Sequence, residues 1–285
     1  MTKTHYAIAA IAALAAAAAP IRASAARPSP SEISVDLKLD ESDYVVRERI
    51  RGVVDVRNMS PDRISVGYAN SKDLLFVEVF KASDMSQLEE TKRRPFVAAF
   101  RLEPNEGQKL ETFLGDHYGV DEPRRYLARP VLVHAGHRFE GQYRAFDVVP
   151  GLRVATAVQM FSTRAGVRRV FDLVRWSRKG NEHLFLSAHD EGGGDRAWIT
   201  TDIGPMMRMT PPTVSIMAGG EVVVIHRNGG DSFVRSEFWS LPDALDFRSR
   251  QMVADPETAA QNRVKEIYAE RGGVKPADRP WWKFW

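Results

Sequence analysis

The sequence contains no cysteine, which excludes disulfide bridges, zinc–thiolate centres, thiol nucleophiles and a lipid-bearing cysteine behind an export signal. The fold therefore rests on packing and hydrogen bonds alone. Charge of one sign is lacking too. Forty basic side chains oppose 37 acidic ones for a net charge of +3, too small and too evenly mixed for a nucleic-acid binder despite a pI near 9.1. The Ala7 to Ala19 run is mostly alanine and falls short of the roughly 20 strongly apolar residues a spanning helix needs, so no stable membrane insertion is expected. The G-x-S-x-G elbow, H-E-x-x-H, the P-loop and the dinucleotide fingerprint are all missing, and no cofactor or metal is called for.

What is present is enough apolar residue, 44% against 27% charged, to build a substantial core, which argues against disorder, collagen-like repeats and a many-pass membrane protein. Residues 1–25 read as a secretory signal peptide: Lys3 supplies the early charge, the alanine run the apolar core, and Ala23-Ser24-Ala25 the small-x-small cleavage site. Residues 26–32, with Pro28 and Pro30, read as a linker. The 260 residues left after cleavage (285 − 25) leave room for two domains. The expected location is the periplasm or the cell exterior.

Ile33, Val35, Leu37 and Leu39 alternate with polar residues, the period of a strand with one buried face. Val53, Val54 and Val56 follow, then a turn at Asn58-Met59-Ser60-Pro61-Asp62 and alternation at Ile64, Val66 and Tyr68. Further strands are expected at Leu74 to Phe80, Phe96 to Leu102, Leu110 to Leu114 and Arg138 to Val149. About seven short strands without helical period suit a sandwich over residues 33–149. The order of these strands and turns, with Leu102-Glu103-Pro104-Asn105-Glu106-Gly107 and the closing Phe139-Glu140-Gly141-Gln142-Tyr143-Arg144 run, resembles bacterial immunoglobulin-like modules related to the proteinase-inhibitor and macroglobulin families. That resemblance implies a fold and a tendency to bind proteins, and it carries no activity to particular residues.

Pro150-Gly151 marks a domain boundary. Over 152–250 a second antiparallel β domain is expected, with strands at Val170 to Trp176, His183 to His189, Ala197 to Ile203, Thr213 to Met217, Glu221 to His226 and Phe233 to Trp239. Glycines at Gly219-Gly220 and Gly229-Gly230 supply hairpin turns. A C-terminal helix is expected over 255–272: Asp255 is its N-cap, Pro256 its first residue, Gly272-Gly273 its stop, and Ala260, Val264, Ile267 and Tyr268 form one apolar stripe. The remainder, 273–285, is an aromatic tail ending in Trp281, Trp282, Phe284 and Trp285, read either as docking on its own chain or as meeting a partner.

Three constellations carry candidate chemistry. His134-Ala135-Gly136-His137 brings two imidazoles to one turn but offers no third ligand. Asp190-Glu191-Gly192-Gly193-Gly194-Asp195 has acids for calcium but lacks the ligand ladder of a calcium loop, and equally reads as a hairpin tip. Trp198 and Asp202 share one strand face and His226 another, so adjacent strands would put an aromatic platform beside an acid and an imidazole, suited to a sugar or peptide. The expected protein is mainly β: an immunoglobulin-like sandwich, then an antiparallel β domain with a C-terminal helix and aromatic tail. Its expected role is a non-enzymatic interaction module for a protein or glycan partner. Two alternatives stand beside it: a hydrolase of peptide or glycan bonds with its site at Trp198, Asp202 and His226, and a proteinase inhibitor, which would need a protruding rigid loop.

Overall fold

A computed structural model describes residues 32–255 apart from 69–72, 92–95, 162–166, 193–197, 218, 231 and 242–243. The residues read as a signal peptide, those of the expected linker up to residue 31, and those expected to form a helix beyond Asp255 and an aromatic tail lie outside the described residues. Everything regular within them is strand, save one 3-10 turn at Leu114–Asp116.

Before Pro150 the strands are β1 (Ile33–Leu39), β2 (Asp43–Val45), β3 (Arg51–Asn58), β4 (Ile64–Val66), β5 (Leu74–Lys81), β6 (Phe100–Leu102), β7 (Gly107–Phe113), β8 (Arg124–His134), β9 (His137–Glu140) and β10 (Arg144–Val149). They form a three-stranded sheet, β1-β3-β7, a five-stranded sheet, β2-β10-β8-β5 with β9 beside β8, and a pair, β4-β6. All pairings are antiparallel except β2 with β10. The alternation in β1 and β3 buries Val35, Leu37, Val54 and Val56 against Val77, Leu132 and Phe146 of the larger sheet, one continuous core. Asn58, expected as a turn former, is instead a buried clip. Its amide nitrogen donates to the Asp62 carbonyl at 2.7 Å and the Glu103 carbonyl at 3.2 Å, while Oδ1 accepts from the Ser60 hydroxyl at 2.6 Å.

Ten strands occur where seven were expected, and the largest omission is β8, the strand to which β5, β9 and β10 all pair. Pro130 hid it, since proline is not expected in a central strand. The local geometry accounts for it. β8 pairs with β10 through Arg124 to Ala128 and with β9 from Val131 onward, so Pro130 stands at the break between the two partners. Its carbonyl accepts the Gly141 N–H there at 2.9 Å, which places its missing N–H on the same interrupted side. Gly141 must be glycine: a Cβ would lie 2.4 Å from the Val35 carbonyl oxygen and 2.6 Å from Pro130 Cγ.

After Pro150-Gly151 come β11 (Leu152–Met160), β12 (Arg168–Arg178), β13 (Asn181–Glu191), β14 (Trp198–Pro205), β15 (Thr213–Ile216), β16 (Glu221–Gly229), β17 (Ser232–Leu241) and β18 (Ala244–Val253). They form two four-stranded antiparallel meanders, β11-β12-β13-β14 and β15-β16-β17-β18. Phe171, Leu173, Leu184, Leu186 and Ile203 of the first meander meet Val222, Val224 and Phe238 of the second in a shared core. Six strands were expected here, and the two unanticipated ones, β11 and β18, are outer strands whose exposed residues blur the apolar period.

Candidate functional site

The three residues singled out from the sequence do not form one open site. Trp198 and Asp202 lie on β14 and His226 on β16, which belong to different sheets; the Trp198 side chain is outside the described residues. Asp202 is already engaged. It accepts from Arg178 Nη1 at 3.1 Å and from the Gly204 N–H at 2.7 Å, and lies 2.9 Å from His183 Nδ1. His226 is 1% exposed, bonds to the Pro205 carbonyl, and keeps Nδ1 buried without a hydrogen-bond partner. Burial, with a smaller push from the Arg250 charge, takes its pKa down to about 4. An imidazole so placed is neutral near pH 7 and has no route to exchange a proton with a ligand in solvent.

The other candidates are structural in their contacts. Ala135 and Gly136 both take positive φ in the β8–β9 turn, and His134 lies 2.7 Å from an Asp73 carboxylate oxygen. Asp190 is gripped by Arg169 at 2.6 and 3.1 Å, and Glu191 by Arg168 at 2.5 Å; Asp195 is outside the described residues. Among the described residues no group of three or more His, Asp or Glu is arranged to hold a metal ion.

The chemistry the sequence did not reveal lies where residues 43–49 cross the outer face of β12, β13 and β14. Val45 packs with Val174 and Phe185, flanked by Val149 and Trp176. Glu48 Oε2 accepts the Val45 N–H at 2.9 Å and Arg178 Nη2 at 2.6 Å. The same Arg178 nitrogen reaches the Asp43 carbonyl at 3.0 Å, and the Thr200 hydroxyl donates to the Val46 carbonyl at 2.9 Å. Burial raises the Glu48 pKa more than Arg178 lowers it; Arg178 loses by burial but is held above its ordinary value by Glu48 and Asp202. Nothing in the local sequence announces this pair, because Glu48 and Arg178 are far apart in the chain and each sits among other charges.

Beside this joint a cleft of about 600 Å³ opens between residues 47–49 and 115–121 on one wall and Ile199 to Thr201 on the other. Arg47, in a left-handed conformation at φ 64°, pairs with Asp121 at 2.7 Å, and Arg49 pairs with Asp116 at 3.2 Å. Both signs of charge, hydroxyls and the 38% exposed Ile199 therefore line one recess. A wider depression of about 700 Å³ includes Asp40, Glu41, Tyr143, Arg144 and Lys179.

No family model matches the chain, and no curated protein matches it. Among solved structures, the chain is similar to the sporulation control protein Spo0M from Bacillus subtilis, at 11% identity and a TM-score of 0.29, over 84% of this chain and 97% of that one. It is also similar to a DUF4784 family protein from Bacteroides caccae, at 8% identity and a TM-score of 0.20, over 77% of this chain and 71% of that one. Both likenesses are distant.

Proposed function

We propose that the protein is an exported, non-enzymatic interaction module of two β domains, the first immunoglobulin-like, which takes a protein or glycan partner in the cleft between residues 47–49, 115–121 and β14. The observation that carries this reading is the cleft itself. Its volume, about 600 Å³, lies within the range of about 300 to 1,000 Å³ common for ligand sites. Its walls come from both halves of the chain and mix a half-exposed isoleucine with hydroxyls and paired charges, which suits a polar chain with some apolar content. The contacts of Asp202 with Arg178, His183 and the Gly204 N–H, and the burial of His226, favour binding over hydrolysis. The signal-like pattern of residues 1–25, with Lys3, the alanine run and Ala23-Ser24-Ala25, supports export and hence a partner in the periplasm or outside the cell.

Thr201→Trp, which fills the cleft, and Arg49→Glu, which inverts a wall charge, should each abolish capture of a partner from the exported fraction by the purified protein. Met59→Trp, on an exposed residue outside the cleft lining, should leave capture intact. A partner retained equally by all three variants would place binding elsewhere.

A further inference from the structure

β1 is an outer strand of its sheet, and its far edge has no strand partner among the described residues. Two hydrogen bonds fix which of its backbone groups face that edge. The Asp40 N–H donates to the Arg51 carbonyl of β3 at 3.3 Å, and the Glu32 carbonyl accepts the Met59 N–H at 2.7 Å. Even-numbered residues along β1 therefore turn their N–H and C=O toward β3, and by the two-residue period Val35, Leu37 and Leu39 turn theirs outward. Their surroundings agree. A Cβ on Gly141 would meet the Val35 carbonyl oxygen at 2.4 Å, and the Leu37 carbonyl accepts Arg144 Nε at 2.9 Å from the β10 side. No ladder takes up the Leu37 N–H or either backbone group of Leu39. Both residues line the depression of about 700 Å³. Its opposite bank is β10, where the Asp147 N–H donates to the Ser42 carbonyl at 2.8 Å on the β2 side. Ala145, two residues earlier, turns its backbone the same way, but β2 begins only at Asp43, opposite Asp147, so Ala145 also faces the depression without a rung.

We propose that this depression is a second binding site, sharing no lining residue with the cleft beside β14, and that it takes an extended segment of a partner protein, which adds to β1 as a further strand. In such strand addition main-chain hydrogen bonds supply affinity and the alternate side chains supply selection. The rungs at Leu37 and Leu39 stand two residues apart, roughly 7 Å, the repeat of a polypeptide in the same extended conformation. A residue of the segment opposite Leu39 points its side chain to the Leu39 side, and those before and after it point with Lys38 and Asp40. Leu39 is half-buried against the first core, while Lys38 and Asp40 are exposed. The segment that fits therefore alternates apolar with polar or charged residues. Tyr143, 40% exposed, adds apolar surface within reach of it, and the pairs of Asp36 with Arg144 at 2.7 Å and Glu41 with Lys179 at 2.8 Å present both signs of charge around it. Arg144 meanwhile guards the edge. By taking the Leu37 carbonyl it withholds one rung from indiscriminate pairing, as charged side chains on edge strands commonly do, and leaves the next rung open.

The probe is a phage-displayed library of random peptides of about ten residues, selected on the purified protein. Enriched sequences should alternate apolar and polar residues, and a synthetic peptide made from them should slow hydrogen exchange at the Leu37 and Leu39 amides. N-methylating that peptide at every second residue should weaken binding about tenfold or more in one parity and little in the other, because only one parity turns its backbone to β1. Leu39→Pro removes an outward N–H of an edge strand and leaves the ladder with β3 its donors, so it should weaken binding to a similar degree. The N-methyl peptides test the same pairing without altering the protein. Thr201→Trp, in the cleft beside β14, should bind the peptide unchanged. A selection that enriches no such sequence, N-methyl peptides of both parities that bind as the parent does, or binding lost in Thr201→Trp but kept in Leu39→Pro would each overturn the assignment, the last by moving the peptide to the cleft beside β14.

Discussion

Buried polar side chains decide much of how this molecule responds to its surroundings, and His226 is the clearest case. It is neutral in the folded protein down to about pH 4, because burial penalises the imidazolium and Arg250 adds to that penalty. In the unfolded chain it titrates near 6.5. A histidine whose folded pKa is depressed contributes stability above 6.5, and that contribution drains away as pH falls from 6.5 through about 4. The gap corresponds to roughly 3 kcal/mol at about 1.4 kcal/mol per unit. His226→Gln keeps a donor for the Pro205 carbonyl and removes the titration. Urea unfolding at pH 7 and pH 4 should therefore show a loss smaller by about that amount in the variant. Identical losses in both proteins would mean that water reaches the imidazole. Glu78 pulls the same way: burial alone would raise its pKa, but the hydrogen bonds from Arg138 and Arg129 outweigh burial and lower it, so its contribution is also lost as pH falls.

At the scale of elements, Gly141 shows how one backbone approach fixes a sheet. The chain passes close to the Val35 carbonyl where β8 exchanges its β10 partner for β9, and a methyl group there meets backbone on one side and the Pro130 ring on the other. Neither neighbour is a flexible side-chain end. Gly141→Ala should cost about 1 to 3 kcal/mol, a fall of several degrees in melting temperature by calorimetry, whereas Gly136→Ala, where a Cβ meets nothing within 4 Å but φ is +79°, should cost only about 1 kcal/mol through its backbone. Strands that bury one clean face, such as β1 and β3, were legible in the sequence because their period survives. β8 was not, because an interruption that tolerates proline appears only once three strands are assembled. β11 and β18 were not, because outer strands with half their residues exposed lose the period that marks a strand. The candidate site was less legible still. Asp202 and His226 drew attention as chemistry-bearing residues, yet their surroundings tie them down, while Glu48, Arg178 and the cleft arise from contacts between distant parts of the chain.

For the whole molecule, the question is how far the two halves depend on each other. The first core is built entirely from residues between Ile33 and Val148, and the second from residues between Phe171 and Phe238. What joins them is smaller: Val45 against Val174 and Phe185, the Glu48–Arg178 pair, the Thr200 hydroxyl on Val46 and the surface pair of Lys179 with Glu41 at 2.8 Å. A core that closes on itself needs no neighbour to melt cooperatively. Residues 26–149 alone should accordingly fold with a β-type circular dichroism spectrum and a single cooperative transition, somewhat less stable for the loss of cover over Val45. In the intact chain, Arg178→Ala leaves Glu48 buried beside an apolar contact with no cation to offset it, and breaking a buried pair in this way costs about 3 to 5 kcal/mol. That cost falls on the joint. Calorimetry of Arg178→Ala should thus separate the melt into two transitions, the upper or lower of which coincides with that of residues 26–149 alone. If the fragment fails to fold, or the variant still melts as one unit at a lower temperature, the halves share a single cooperative structure and the joint is part of its core.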